Sequence, residues 1–116
     1  MITGAASGLG LEFCRLLAAE DYGIILVDKD ATGLKLATEE LLRSYDIQTV
    51  AHCVDLSHRG ASKKLFEAVQ EQEIAILINN AGFGVYGLFT KTPWEVEEAM
   101  LNLHVLAVTQ LTKLVV

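Results

Sequence analysis

Two glycine-bearing motifs occur in order within one alternation of strand and helix patterns: Thr3-Gly4-Ala5-Ala6-Ser7-Gly8-Leu9-Gly10 at the start, and Asn79-Asn80-Ala81-Gly82 after a later apolar run. A glycine-rich turn alone is weak evidence, because such spacings recur by chance. This one follows the short apolar start Met1-Ile2 and leads straight into the helix-period run Leu9, Phe13, Leu16 and Leu17. A strand, a tight turn and a helix in that order form the context in which backbone can approach a phosphate closely.

The rest of the chain repeats the alternation. A helix is expected from Leu9 to about Glu20, and the continuous, β-branched run Gly23 to Asp28 reads as a buried second strand. Asp30 can cap a helix whose apolar positions Leu34, Ala37, Leu41 and Leu42 keep a helical period to about Tyr45. Gln48 to Val54 reads as a third, more polar strand near an edge, followed by a helix carrying Leu65, Phe66 and Val69 to about Gln72. Ile74 to Asn79 is almost wholly apolar, which predicts a central fourth strand. Thr92-Pro93-Trp94-Glu95 predicts a helix start with Thr92 as cap, Pro93 at the first helical position and Glu95 closing a capping box. The expected fold class is α/β, a Rossmann-like doubly wound parallel sheet with helices on both faces.

At 116 residues the chain fits one domain at most, and 52% hydrophobic content suits a layered core. It reads as truncated at both ends: little precedes Thr3, and Leu114-Val115-Val116 stop inside an apolar helix pattern without a terminating signal. Residues 1–116 are therefore expected to be a single, partial dinucleotide-binding domain. A net charge of −6 argues against a nucleic-acid or anionic-membrane surface, since phosphate backbones need clustered Lys and Arg. Cys14 and Cys53 form no metal-ligand spacing, so no metal is expected and both are read as buried, inert thiols. No leader pattern is visible, which makes the cytoplasm the default. Leu101 to Val116 is apolar but interrupted by His104, Thr109, Gln110, Thr112 and Lys113, and too short to span a bilayer. A buried or subunit-packing helix is expected there.

The chemistry of the first turn follows from its residues. A pyrophosphate needs several N–H donors, and Gly4, Gly8 and Gly10 leave room for it where the strand enters the helix, with Ser7 and Leu9 between them. The helix N-terminus contributes about 0.3–1 kcal/mol per interaction with an anion. Leu11 follows the last glycine where a mononucleotide loop carries Lys. Asp28 ends the second strand, where a carboxylate can accept both ribose hydroxyls of an adenosine and would repel a 2′-phosphate. That repulsion is on the order of 4 kcal/mol near 4 Å at an effective dielectric of about 20. NAD is favoured over NADP on this ground, although Lys29 could partly reverse the preference by pairing with the phosphate. The plainer reading of Asp28 is a solvated strand-end acid or a cap, and Asp55 can equally be a cap.

These motifs resemble the short-chain dehydrogenase/reductase family, whose Thr-Gly-x-x-x-Gly-x-Gly turn matches Thr3 to Gly10 and whose Asn-Asn-Ala-Gly matches Asn79 to Gly82. The resemblance covers essentially the whole chain and about the N-terminal half of a family domain. It implies an NAD(P)-dependent oxidoreductase that moves hydride between nicotinamide and an alcohol or carbonyl substrate. By resemblance Asp28 reads the ribose, Asp55-Leu56 lies along the adenine, and Asn80-Ala81-Gly82 supports the strands beside the cofactor. Homo-oligomerisation through the last helix is also implied.

The match breaks in two places. The family's Tyr-x-x-x-Lys is absent: Tyr22, Tyr45 and Tyr86 are followed four residues later by Leu26, Thr49 and Thr90. In the family that Tyr passes a proton to or from the substrate oxygen, so these residues alone are expected to show no turnover. The second break is at the family's helix asparagine, where His104 aligns in His104-Val105-Leu106-Ala107. Asn102 lies two residues earlier, a rotation of about 200° on an α-helix, and so faces elsewhere. His104 could relay protons, or simply be a hydrogen-bonded residue on an apolar face. Phe83, Val85, Tyr86 and Phe89 would border the substrate in the family, and core packing explains them equally well. A noncatalytic dinucleotide-binding or assembly module is the alternative function; a methyltransferase explains the first loop but not Asn79 to Gly82.

Overall fold

Ile24-Ile25-Leu26-Val27 is buried along its whole length, and that is why β2 (Ile24–Asp28) sits in the middle of a parallel sheet. β1 (Ile2–Thr3) lies on one side of it and β3 (Thr49–Cys53) on the other. Ile2 pairs with Leu26 and Thr3 with Val27, while Ile24 to Asp28 run in register with Thr49 to Cys53. β3 is the edge expected from its polarity: Val50, Ala51 and Cys53 are exposed. The computed structural model describes residues 1–116. These strands belong to one of two compact units, Met1–Val54 with Ile74–Ala81; the other comprises Asp55–Glu73 with Gly82–Val116.

In the first unit, α1 (Gly8–Ala19) and α2 (Ala31–Ser44) contribute Cys14, Ala18, Leu34, Ala37 and Leu41 to a core shared with Ile2, Ile24 and Leu26. Each fully buried Leu or Ile stabilises by about 1.5–3 kcal/mol. Asp30 caps α2 as expected, accepting from the Gly33 N–H at 3.0 Å. Arg15 ties the two helices together with a fork on Glu40, Nε to Oε1 at 2.6 Å and Nη2 to Oε2 at 3.0 Å, and also contacts Glu12. That fork holds the Glu40 carboxyl below the ordinary carboxylate range. Cys14 is buried, and desolvation pushes its thiol up to about 11, as an inert thiol requires. Cys53 is exposed instead, because it sits on the open edge strand.

Ile74 to Asn79 departs from expectation. It runs beside β1 through a single parallel bridge, Ile2 to Ile78, with the Met1 amino group donating to Ile76 O at 2.7 Å. The run forms no continuous strand. β1 is two residues long, and Ile74, Ile76 and Ile78 are partly buried while Ala75 is exposed. Apolar composition predicted burial that needs a neighbour on each side.

In the second unit, α3 (Ala61–Val69) packs against a continuous helical rod. The rod runs through α4 (Trp94–Leu101), a π-helical segment at Asn102–Ala107, and α5 (Val108–Val115). Ala61, Leu65, Val69, Leu103, Ala107 and Leu111 are buried. The expected capping box does not form. Thr92 Oγ1 lies by Phe89 O at 3.1 Å and contacts the Glu97 carboxylate, which leaves Pro93 as the cap and Val96 N–H donating to Pro93 O. No helix is long and apolar enough to cross a membrane.

Candidate functional site

The first turn is built almost entirely from main-chain geometry. Thr3 is buried, and its Oγ1 accepts from the N–H groups of Asn80 and Ala81, both at 3.0 Å. Asn80 answers with its side chain, Nδ2 donating to Thr3 O at 3.1 Å and to Gly4 O at 3.3 Å. Asp28 grips the same turn from β2: Oδ2 accepts from the Ala6 N–H at 3.0 Å and Oδ1 from the Asp30 N–H at 3.1 Å. Ala5 N–H donates to Val27 O at 3.1 Å. Four separate donor–acceptor sets therefore hold Thr3 to Ala6 before α1 begins.

The three glycines of this turn have three different reasons. Gly4 is in the left-handed region at φ 68°, and a Cβ there would lie 2.8 Å from Asn80 Nδ2 and 3.0 Å from Ala81 Cα. Gly10 has no room at all: a Cβ would stand 1.9 Å from Gly4 O. It is the glycine that lets helix and strand touch. Gly8 is left-handed at φ 55°, yet nothing lies within 4 Å of where its Cβ would be. The protein itself does not need that space. Ser7, Gly8 and Leu9 are exposed around it, Ser7 makes no side-chain cap bond, and the N–H groups of Gly8, Leu9 and Gly10 precede the first helical bond, Leu11 N–H to Ser7 O. Open space beside unpaired donors at a helix N-terminus fits a diphosphate.

In the second unit Asp55 orders a turn. Its Oδ1 accepts from Ser57 N–H at 2.9 Å and Ser57 Oγ at 2.6 Å, and His58 Nδ1 lies 3.6 Å from Oδ2. The cap of α3 is Gly60, at φ 81°, so Asp55 is not that helix's cap. Leu56 is buried at 5% exposure.

His104 lies in the π-helical segment, a wider turn that recurs at functional sites. Its Nε2 sits 2.8 Å from Phe83 O and 3.2 Å from Phe83 N, and its ring packs so closely over Gly82 that a Cβ there would be 2.6 Å from Cε1. His104 and Gly82 are thus brought together by the structure, a pairing that sequence spacing did not suggest. Phe83 and Val85 are partly buried, whereas Tyr86 and Phe89 are 92% and 83% exposed within residues 1–116. Trp94 is 59% exposed.

The short chain dehydrogenase family model matches residues 1–116. A 7beta-hydroxysteroid dehydrogenase of Mediterraneibacter gnavus is 33% identical over 105 residues, covering 90% of this chain and 40% of the relative. Among solved structures, the bulky-bulky ketone specific alcohol dehydrogenase from Comamonas testosteroni superposes with a TM-score of 0.92 at 25% identity, over 98% of this chain and 46% of that one. A short-chain dehydrogenase from Sphingobium yanoikuyae in complex with NADPH gives a TM-score of 0.91 at 30% identity, over 98% and 45%. The chain spans less than half the length of each of these relatives. The α/β arrangement with a parallel sheet is theirs, and the matched family model together with these dehydrogenases places the chain in the short-chain dehydrogenase family.

Proposed function

We propose that residues 1–116 are the coenzyme-binding portion of an NAD(P)-dependent oxidoreductase that transfers hydride between nicotinamide and a small alcohol or carbonyl substrate. The observation that carries this reading is the left-handed, uncrowded Gly8 beside the unpaired N–H groups of α1. Gly4, Ser7, Gly8, Leu9 and Gly10 cradle the diphosphate; Asn80 and Ala81 hold the cradle to Thr3, with Gly82 next in the chain. Asp55 and Leu56 are assigned to the adenine side. His104 is assigned to the substrate side, where an imidazole can hold a proton while the hydride moves. The bound coenzyme supplies the hydride chemistry, and these residues bind and orient it.

The coenzyme form we propose is NADP(H). The NAD expectation rested on a carboxylate that reads the ribose and repels a 2′-phosphate, but Asp28 accepts one main-chain N–H on each oxygen, which turns the carboxylate to the turn and partly offsets its charge. Asp28 in this reading is an anchor for the turn, with Lys29 beside it as countercharge to a 2′-phosphate. The NADPH held by the Sphingobium neighbour supports the same choice. We also assign homo-oligomerisation to the last helix, whose Leu101 and Val105 are exposed by 46% and 52%. The proton-transferring Tyr-x-x-x-Lys is not among these residues, so this chain alone is expected to bind coenzyme without ketone reduction.

Fluorescence titration with NADPH and NADH tests the proposal. NADPH is expected to bind more tightly, and Gly8→Ala is expected to weaken it at least about tenfold by blocking N–H bonds to a charged group. Tighter NADH binding would overturn the NADP(H) form. No binding of either, or binding indifferent to Gly8→Ala, would overturn the site.

A further inference from the structure

We propose that the second unit carries a separate pocket for a small organic anion, a phosphate monoester with a short apolar body, between the start of α3 and the face of the helical rod that bears Leu106 and Lys113. A cavity of 440 Å³ opens there, of the size of small-ligand sites. Leu56, Leu106 and Ala107 give it an apolar floor, and Leu56 and Ala107 are buried. Although the chain has 15 acidic residues against 9 Lys and Arg, the cavity is lined by Arg59 and Lys113 and by no carboxylate. Arg59 is partly engaged by Glu98 at 3.5 Å; Lys113 has no ion-pair partner.

The start of α3 supplies donors to the same space. Gly60 is left-handed at φ 81°, with nothing within 4 Å of its would-be Cβ. The N–H groups of Ser62 and Lys63 precede the helical bond from Lys64 N–H to Gly60 O. Ser62 itself is 3% exposed and lines the cavity, yet no hydrogen bond occupies its hydroxyl. The residue is buried but its hydroxyl is reached from the cavity, where an anion would be its partner. Lys113 supplies charge, Ser62 and the α3 N–H groups supply directed donors, and the leucines take the apolar body. The site shares Leu56 with the adenine side proposed above, but Ser62 and Lys113 have no coenzyme role, so variants of those two tell the sites apart.

The test is an NMR titration of the full protein that carries these residues, with butyl phosphate, inorganic phosphate and butyrate as probes and the Gly60 to Lys63 amides as reporters. Butyl phosphate is expected to bind saturably, more tightly than inorganic phosphate and than butyrate. Lys113→Glu is expected to weaken it at least about tenfold, and Ser62→Ala by several-fold, as for bonds to a charged group. NADPH affinity is expected to be unchanged in both variants, which separates failure here from failure of the coenzyme site. Absence of saturable shifts, including because another segment or a second copy covers the cavity, would overturn the proposal, as would affinity unaltered in both variants. Butyrate binding more tightly than butyl phosphate would overturn the assignment of phosphate.

Discussion

The turn at Thr3 to Gly10 and the loop at Gly82 to Thr92 are both glycine-spaced, yet they are held by opposite means. The first is fixed by main-chain bonds and two interlocked side chains, Thr3 and Asn80, with Gly4 and Gly10 packed to contact. The second presents Tyr86, Leu88 and Phe89 to solvent at 92%, 71% and 83% and is held at its start by one imidazole. Glycine in the first admits backbone against backbone; in the second, Gly82 admits a side chain. The cost of replacing a glycine should therefore depend on what it faces, and not on its motif.

Gly10→Ala should show the largest effect. Its methyl would meet Gly4 O at 1.9 Å, and neither the helix nor the turn can withdraw without breaking the bonds that Asn80 and Asp28 make. The expected loss is about 3 kcal/mol or more, the upper range for overpacking, read as a lowered denaturation midpoint with an unchanged slope. Gly8→Ala, with open space around it, should cost only the left-handed penalty of about 1–2 kcal/mol. Equal losses in the two variants would show that crowding at Gly10 is not what sets its cost.

Next in size is Thr3→Val, which keeps the shape and removes the hydroxyl that accepts from Asn80 and Ala81. Leaving such donors unpaired costs about 1–3 kcal/mol each when buried, and part-burial here puts the sum at about 2 kcal/mol. Thr3→Ser should restore most of it. A Val variant as stable as the parent in chemical denaturation would mean that the turn is held by its main chain alone.

How far the sequence spoke for itself follows the same division. Parallel pairing, the edge position of β3, the Asp30 cap and the glycine turn were legible because each depends on local pattern or on backbone freedom that only certain residues give. Ile74 to Asn79 makes one bridge where a regular strand is expected, since apolar content does not fix how many main-chain bonds a run makes. Thr92 was misread as a cap because its hydroxyl turns to donate to the Glu97 carboxylate, a contact five residues away that no capping rule weighs. Asp28 was legible as a site acid, but not that both its oxygens are taken by N–H groups, one of them 22 residues distant. The ring of His104 over Gly82 had no signal at all at a separation of 22 residues.

That last contact gives the smallest effect and the sharpest test of the contrast. A methyl at Gly82 would come within 2.6 Å of His104 Cε1, the edge of a side chain that can swing away, so Gly82→Ala should cost only about 1 kcal/mol. The loss is that of the His104 Nε2 bond to Phe83, and not of backbone packing. In a His104→Ala background the same substitution should therefore be nearly neutral, giving a coupling of about 1 kcal/mol in a double-mutant cycle, within the range for residues in contact. Additive losses would place the obstruction in the main chain and make this loop like the first. If coupling is found, the imidazole is what positions Phe83, and it holds the loop in the way that Asn80 holds the turn at Thr3 to Gly10, though with one residue where the turn uses several.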